Sequence, residues 1–425
     1  MLTPPVVLLP DVDGAAMNEM QRESQWPMVS VATAQQAIAA ISATPLGSES
    51  ILTHHGAGRI LAHAIHAHAD IPAEPRATVD GYALRSSDGT MPRQVVAELT
   101  AGDGQQLVLA PGTAVRIMTG APLPVGADAA IMVERTREQA GTLTFDGSVR
   151  AGECVLPVAS DMRHGELVIP AGAVLSAGDV GLLASMGLKH ISVFRRPVVA
   201  VLSTGDEVYE YDEPIPFGGV RDANRHALLA AVHAAGCEGI SLGIARDDQA
   251  LQRMKIREGL TRADVLITSG GVSMGTRDYI KPLLAELGTV HFGRIAFKPG
   301  KPTMCASVGQ HIMFGLPGNP VSSLVSFEVF VRPALRRLQG DPHPHRPQVQ
   351  VTLTDSITPA PDRPEYQRAI VSWHHGQLVA STTGAQGSSR LLSMRAANAL
   401  LVIAPGDERL AVGSNVEALI VGEVR

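Results

Sequence analysis

Between Val198 and Leu338 the chain alternates short, uninterrupted apolar runs with longer amphipathic ones. This alternation constrains the fold more than any other feature. Val198–Leu202, Ile240–Ile244, Val265–Thr268 and Val290–Phe297 read as strands, and Ala227–Ala235, Leu251–Leu260, Tyr279–Leu287 and Val321–Leu338 as helices. Strands apolar on both faces, each followed by a helix, belong in a parallel-rich sheet covered on both sides. Ligands of such sheets bind beyond the carboxyl ends of the strands. The loops that follow strands are therefore the places to look for chemistry.

The rest of the chain reads differently. Residues 30–70 look helical, through Val31–Ile41 and then Ile51–Ala69, until Pro72 and Pro75 close the segment. Residues 76–170 carry short β-rich pieces, Val95–Leu99, Thr113–Met118 and Ala129–Val133, between Gly, Pro and Asp clusters. A helical pattern returns over 171–195. Asp341–Pro347 reads as a linker, and 348–425 as a small β domain.

Charge and cysteine usage exclude whole classes of function. The net charge is −6, which speaks against a general electrostatic hold on nucleic acid. Anionic substrates would have to be met by local cations or helix starts. The three cysteines, Cys154, Cys237 and Cys305, are far apart and form no C-x-x-C pair, so neither a disulfide framework nor a zinc site is expected. No run of 18 apolar residues suggests a membrane span, and Met1–Met20 lacks the layout of a signal peptide. A cytoplasmic protein fits these features.

Three loops stand out. Thr268-Ser-Gly-Gly-Val-Ser-Met-Gly275 follows a buried strand and precedes a helix. Paired glycines let backbone N–H groups approach an anion, although a plain tight turn would look the same. Lys298-Pro-Gly-Lys-Pro302 also follows a strand. Its prolines stiffen a turn that brings two ammonium groups together, which favours an oxyanion between them, with a solvated basic turn as the alternative. It is not a P-loop, because Pro302 takes the Ser/Thr position. Gly315-Leu-Pro-Gly-Asn-Pro-Val-Ser322 offers Asn319 as a helix N-cap, Pro320 at the first helical position and Ser322 in the first turn.

Carboxylates recur beside these loops: Asp206 and Glu207, Asp222, Asp247 and Asp248, and Asp278. Singly, each reads as a cap or a loop charge. Together on one sheet edge they suggest a hard cation such as Mg²⁺. His54, His55, His63, His66 and His68 read as a solvated helix face, with His63 and His66 on one side. No G-x-S-x-G nucleophile elbow is present.

These words, in this order, resemble the molybdopterin molybdenumtransferases, the family of bacterial MoeA and the gephyrin E domain. The matching stretches are Asp80-Gly-Tyr-Ala83, Arg116-Ile-Met-Thr-Gly-Ala-Pro122, Ser203-Thr-Gly-Asp-Glu207, Ser269-Gly-Gly-Val-Ser273 with Asp278-Tyr279, the lysine loop, Gly315–Ser322 and Gln386–Arg395. The resemblance implies an α/β multidomain protein. Its centre would be a three-layer α/β molybdopterin-binding domain (196–340) with a parallel-rich sheet. An elongated helical/β dimerisation domain (24–74 plus 166–195), an inserted small β domain (75–165) and a C-terminal β-barrel-like domain (348–425) would complete it, behind a flexible tail (1–23).

The resemblance also implies an activity: Mg²⁺-assisted insertion of molybdate into adenylylated molybdopterin, with release of AMP. Ser269, Gly270, Gly271, Val272, Ser273, Gly318, Asn319 and Pro320 would hold the pterin substrate. Lys298, Lys301, Pro302, Ser322, Arg368 and Ser388 would line the molybdate pocket. Asp247 and Asp278 would serve the Mg²⁺, with Glu207 beside them, and Asp80 and Thr119 would reach in from the other subunit of a homodimer. The adenylyltransferase that supplies activated molybdopterin is the expected protein partner, with no nucleic acid and no membrane involved. One departure is local: where many bacterial members carry basic residues, this chain has Leu156-Pro-Val158. Two rival readings are an adenylyltransferase, which shares the α/β domain and its glycine loop but has no need of the extra β domains, and a non-catalytic binding or scaffolding protein on the same fold.

Overall fold

The computed structural model describes residues 26–102, 106–272 and 279–424. They fall into two compact units. One takes the chain up to Ser50, Gly58–Ile60 and the chain from Val193. The other takes Ile51–Ala57 and Leu61–Ser192.

The larger unit opens with α1 (Val31–Ile41), whose N-cap Ser30 accepts a hydrogen bond from the Thr33 amide. Its centre is the expected alternation: β1 (Val198–Thr204), α2 (Ala223–Ala234), β2 (Glu238–Ala245), α3 (Gln249–Arg262), β3 (Val265–Ser269), α4 (Ile280–Leu287), β4 (Thr289–Phe292), β5 (Met304–Val308) and β6 (His311–Leu316). The strands form one sheet in the order β2-β1-β3-β6-β5-β4. The first four run parallel, and β5 and β4 close the edge antiparallel. Successive side chains point to opposite faces. Val199 and Val201 therefore join one core with Ile267 and Phe314, while Ala200 and Leu202 join the other with Leu266 and Met313. Helix α2 covers the first face, and α3 and α4 the second.

After β6 come α5 (Pro320–Ser326), a π-helical turn (Phe327–Val331) and α6 (Arg332–Leu338), which together realise the single helix expected from Val321 to Leu338. Pro333 has no N–H to give and crowds the carbonyl four residues back. The wider π turn relieves that conflict. Phe314, Phe327 and Phe330 are fully buried on this side of the sheet, each contributing roughly 1.5–3 kcal/mol by leaving water. That packing, rather than helix propensity, holds the rod in place.

The C-terminal strands β7 (Gln348–Leu353), β8 (Glu365–His374), β9 (Gln377–Thr382), β10 (Ala399–Ile403) and β11 (Asn415–Ile420) close into a barrel. Its interior holds Val351, Ala369, Val371, Ala380, Leu401 and Ala418. Tyr366, Leu400 and Leu419 point out of the barrel into the core beneath α5 and α6. That seats the barrel against the α/β layers.

The smaller unit contains a six-stranded sheet in the order Ala129–Met132, Gly81–Leu84, Thr113–Ile117, Arg93–Leu99, Thr142–Phe145, Thr136–Gln139. Helix Ala177–Ser185 starts with a reciprocal capping box between Ser176 and Asp179. Two expectations are corrected. The second helix over Ile51–Ala69 does not form: a strand (Ser48–Leu52), a 3₁₀ turn (Thr53–His55) and a short strand (Ile65–His66) take its place. Gly58 at φ +75° interrupts any helix, and the backbone amides of Leu61 and Ala67 bond to the distant carbonyls of Ala173 and Glu166. Long-range pairing overrides alanine's helix propensity here, and the histidines share no helix face. The strand expected over Val290–Phe297 stops at Phe292: beyond it the backbone bonds to Val29 and Lys301 instead of to β5, with Arg294 O accepting from Val29 N, Ile295 N donating to Lys301 O and Ala296 N to Val29 O. No helix among the described residues is long and apolar enough to cross a membrane.

Candidate functional site

β2 and β3 flank β1, so the chain reverses its direction of travel at β1. The loops leaving β1 and β3 diverge there, which is where an open α/β sheet forms its ligand crevice. The glycine loop begins at this point. Gly270 and Gly271 take φ values of +91° and +66°, and a Cβ on Gly270 would stand 2.7 Å from the Thr204 carbonyl oxygen. Both positions are thus closed to larger residues. The Gly270 amide donates to Leu316 O at 3.1 Å, which ties the loop to the end of β6. Val272 turns its side chain into the core, under Gly315. Ser273 and Asp278 lie outside the described residues.

The turn after β6 lies alongside: a Cβ on Gly318 would be 3.7 Å from Gly270 Cα. Asn319 stands at the N-cap position of α5, with Pro320 next, but its side chain makes no cap bond. Its Nδ2 instead donates to Ser388 Oγ at 3.1 Å, across to the barrel's Gln386–Arg390 segment. The Val321 amide, one of the free donors at the helix start, donates to Ser388 O at 3.2 Å. Ser322 is buried in the same first turn.

Arg368 on β8 reaches this segment from the other side. It is fully buried. Its Nε donates to Ser393 Oγ at 3.1 Å and its Nη2 to Gly387 O at 3.2 Å, while Nη1 is buried with no hydrogen-bond partner among the described residues. Burial pushes its guanidinium down to about 10. A buried guanidinium with an unused N–H group is a costly arrangement, and an anion would relieve it.

The lysine loop joins the barrel through its backbone. Tyr366 N donates to Lys298 O at 2.7 Å, and Lys298 N to Pro364 O at 3.0 Å. Gly300, at φ +133°, leaves no room for a Cβ above Phe297 and Ser326, and its carbonyl accepts from Thr303 Oγ1 at 2.7 Å. The protein itself meets one of the two lysine charges. The buried Glu365 carboxylate stands 3.2 Å from Lys298 Nζ and supplies one counter-charge from within. Lys301 is half-buried and has no ion-pair partner among the described residues.

The acids sort into two groups. Asp222 and Asp248 cap α2 and α3, accepting from the Arg225 and Leu251 amides. These are the plain cap roles. Asp206 and Asp247 meet: the Asp247 amide donates to Asp206 Oδ1 at 3.0 Å. Asp247 Oδ1 also faces Gln252 Nε2 at 3.4 Å. The Glu207 carboxylate folds over Gly205, where a Cβ would be 2.7 Å from Oε2. Among the described residues no group of three or more His, Cys, Asp or Glu gathers in metal-binding geometry.

In the smaller unit the structure brings together two residues that spacing alone makes ordinary turn residues. Thr119 donates to Asp80 Oδ1 from its amide at 2.7 Å and from its hydroxyl at 2.8 Å. The amide bond first and the hydroxyl bond second hold this exposed carboxyl below its ordinary range. Leu156 and Val158 are exposed.

Two further residues emerge only in three dimensions. Glu365 pairs with Lys298, and Asn224 bridges the glycine loop to the Gly318 turn. Their single sequence signal is proximity to a marked residue: Asn224 follows Asp222 by two positions, and Glu365 precedes Arg368 by three.

Three family models match the chain in order. They are the MoeA N-terminal region (domain I and II) over residues 29–187, a probable molybdopterin binding domain over 200–337, and the MoeA C-terminal region (domain IV) over 350–421. The chain is similar to a molybdopterin molybdenumtransferase of Haemophilus influenzae, 34% identical over 88% of this chain and 93% of that one. It is also similar to a gephyrin of Dictyostelium discoideum, 33% identical over 86% of this chain, and spans 58% of that protein's length. Among solved structures it is similar to the molybdopterin biosynthesis moeA protein from Pyrococcus horikosii, with a TM-score of 0.82, 30% identity and coverage of 93% of this chain and 100% of that one.

Proposed function

The chain belongs to the molybdopterin molybdenumtransferase family, and from that premise we propose that it inserts molybdate into adenylylated molybdopterin in molybdenum cofactor biosynthesis, releasing AMP. The observation that carries this reading is Arg368: a fully buried cation with an unpartnered Nη1, beside Ser388 and the start of α5. Molybdate is a doubly charged tetrahedral oxyanion, and charge-assisted N–H donors suit it. Lys298, Lys301, Pro302, Ser322, Arg368 and Ser388 line its pocket in this reading. Ser269 to Ser273 and Gly318 to Pro320 hold the pterin's phosphate on backbone amides and a helix start.

Water adds at phosphorus as the P–O bond that joins the two phosphates breaks and AMP leaves; the two dithiolene sulfurs bond to molybdenum, and their protons leave with one molybdate oxygen as water. Asp247, Asp278 and Glu207 serve the pyrophosphate end. Asp247, with hard oxygen donors at a strand end beside Asp206, would be the residue to hold Mg²⁺. When bound there, Mg²⁺ offsets charge on the cleaved pyrophosphate. Asp80 and Thr119, already joined, are contributed by the second subunit of a homodimer. The protein works in the cytoplasm, where its three cysteines stay free thiols, and receives its substrate from the adenylyltransferase that makes it.

The test is direct. Purified protein given adenylylated molybdopterin, molybdate and Mg²⁺ should release AMP and yield active cofactor. Absence of AMP sinks the proposal, and consumption of ATP without molybdate would point to the adenylyltransferase step instead.

A further inference from the structure

The pterin-phosphate subsite needs two loops held at one spacing, and a side chain outside both loops holds them. Asn224 stands in the first turn of α2, and its neighbours fix that turn firmly. Asp222 accepts from the Arg225 amide at 3.0 Å, from Arg225 Nε at 2.8 Å and from the Ser203 hydroxyl at 2.8 Å. Arg225 in turn grips Glu210 at 2.6 Å. From this anchored position Asn224 Nδ2 donates to Ser269 Oγ at 2.7 Å and to Gly318 O at 2.7 Å.

A carboxamide nitrogen carries two protons, and both are used here. One goes to the last residue of β3, where the glycine loop starts. The other goes to the turn between β6 and α5. These segments are 45 and 94 residues from Asn224 in sequence. The Ser269 hydroxyl, having accepted one hydrogen bond, donates toward Pro317 O at 3.5 Å and stands 3.4 Å from Ser323 Oγ, both on the far side of the same junction. The Gly270-to-Leu316 backbone bond joins the same two segments, next to the β3–β6 ladder that ends at Ser269 and Leu316.

We infer that Asn224 is a positioning residue for the pterin phosphate. Its carboxamide clamps Ser269, where the glycine loop leaves β3, to the Gly318 turn, and so sets the spacing of the two segments. The inference rests on the function proposed above. Asn224 makes no bond to Lys298, Lys301, Arg368 or Ser388, so its loss should fall on the pterin substrate rather than on molybdate.

The experiment is AMP-release kinetics on the full chain, varying each substrate in turn. Asn224→Ala should raise KM for adenylylated molybdopterin on the order of tenfold, the worth of two lost hydrogen bonds, with KM for molybdate changed less than about twofold. Asn224→Asp keeps the shape but has no proton for Gly318 O, so it should show the same split and serves if the alanine variant folds poorly. In a double-mutant cycle with Ser269→Ala the effects should be strongly non-additive. A pterin KM within about twofold of wild type, an equal rise in both KM values, or additive effects would each overturn the inference while leaving the functional reading intact. A wild-type protein that turns over no pterin overturns both.

Discussion

Replacing Arg368 by methionine separates what the guanidinium does for the fold from what it does for a ligand. The side chain is fully buried on β8. Burial depresses its pKa to about 10, which corresponds to about 3 kcal/mol against the charged form. The protein returns two hydrogen bonds, to Ser393 Oγ and Gly387 O, each worth about 1–2 kcal/mol net for a charged donor. These terms nearly cancel. Methionine has a similar reach and no charge, so the free variant should keep its stability within about 1 kcal/mol, as other buried charges replaced by apolar groups do. Its thermal midpoint should then move by about 2 °C at most. Binding responds differently. An oxyanion that completes Nη1 adds a charge-assisted bond of about 1.5–3 kcal/mol, so Arg368→Met should weaken molybdate roughly 10- to 150-fold.

Calorimetric titration with molybdate measures that loss, and thermal unfolding with and without molybdate checks it. At a hundred times the wild-type Kd the ligand should stabilise the wild type by about 2.7 kcal/mol and the variant by only about 0.3–1.4 kcal/mol. Two results would refute the reasoning. One is wild-type molybdate affinity in the variant. The other is a free variant destabilised by several kcal/mol, which would make the guanidinium a structural group whose unpartnered nitrogen means nothing for binding.

Two further predictions concern the loops and the smaller unit. Gly270→Ala places a Cβ 2.7 Å from the Thr204 carbonyl at φ +91°. It should cost about 1–3 kcal/mol in urea unfolding and raise the pterin KM, and an unchanged midpoint would show that the loop tolerates a side chain. Asp80 is held below the ordinary carboxyl range by Thr119. Its bonds should therefore be complete above about pH 3.9 and open only as pH falls below that, through its own lower value. Thr119→Val removes the hydroxyl bond and keeps the amide bond, so carbon NMR should find the Asp80 midpoint raised part of the way to the ordinary value. No movement would assign the whole effect to the amide.

The parallel-rich sheet, its helices and the position of the glycine loop and the Gly318 turn at the ends of β3 and β6 were legible in the sequence; the lysine loop, read as following a strand directly, is separated from β4 by residues 293–297. Continuous apolar runs such as Val198–Leu202 state their own burial, and Gly270, Gly300 and Pro320 state the backbone geometry around them. Those are local properties, encoded within a few residues of where they act. Where local composition misled, as over Ile51–Ala69, the deciding bonds came from carbonyls about 100 residues away.

The site's wiring is of that second kind. The buried Glu365 beside Lys298, the Asn319 amide turned from its helix to Ser388, the Arg368 guanidinium left one partner short and the Asn224 bridge between two loops all join distant stretches of chain. No periodicity marks such pairs. They exist because the order of strands in the sheet brings the ends of β3 and β6 side by side, and because Tyr366, Leu400 and Leu419 seat the barrel against the face where α5 begins. The sequence by itself determined which residue types stand at each strand end. Which of them meet, and which polar atom stays unpaired, depended on burial and on hydrogen-bond geometry that only the packed layers impose.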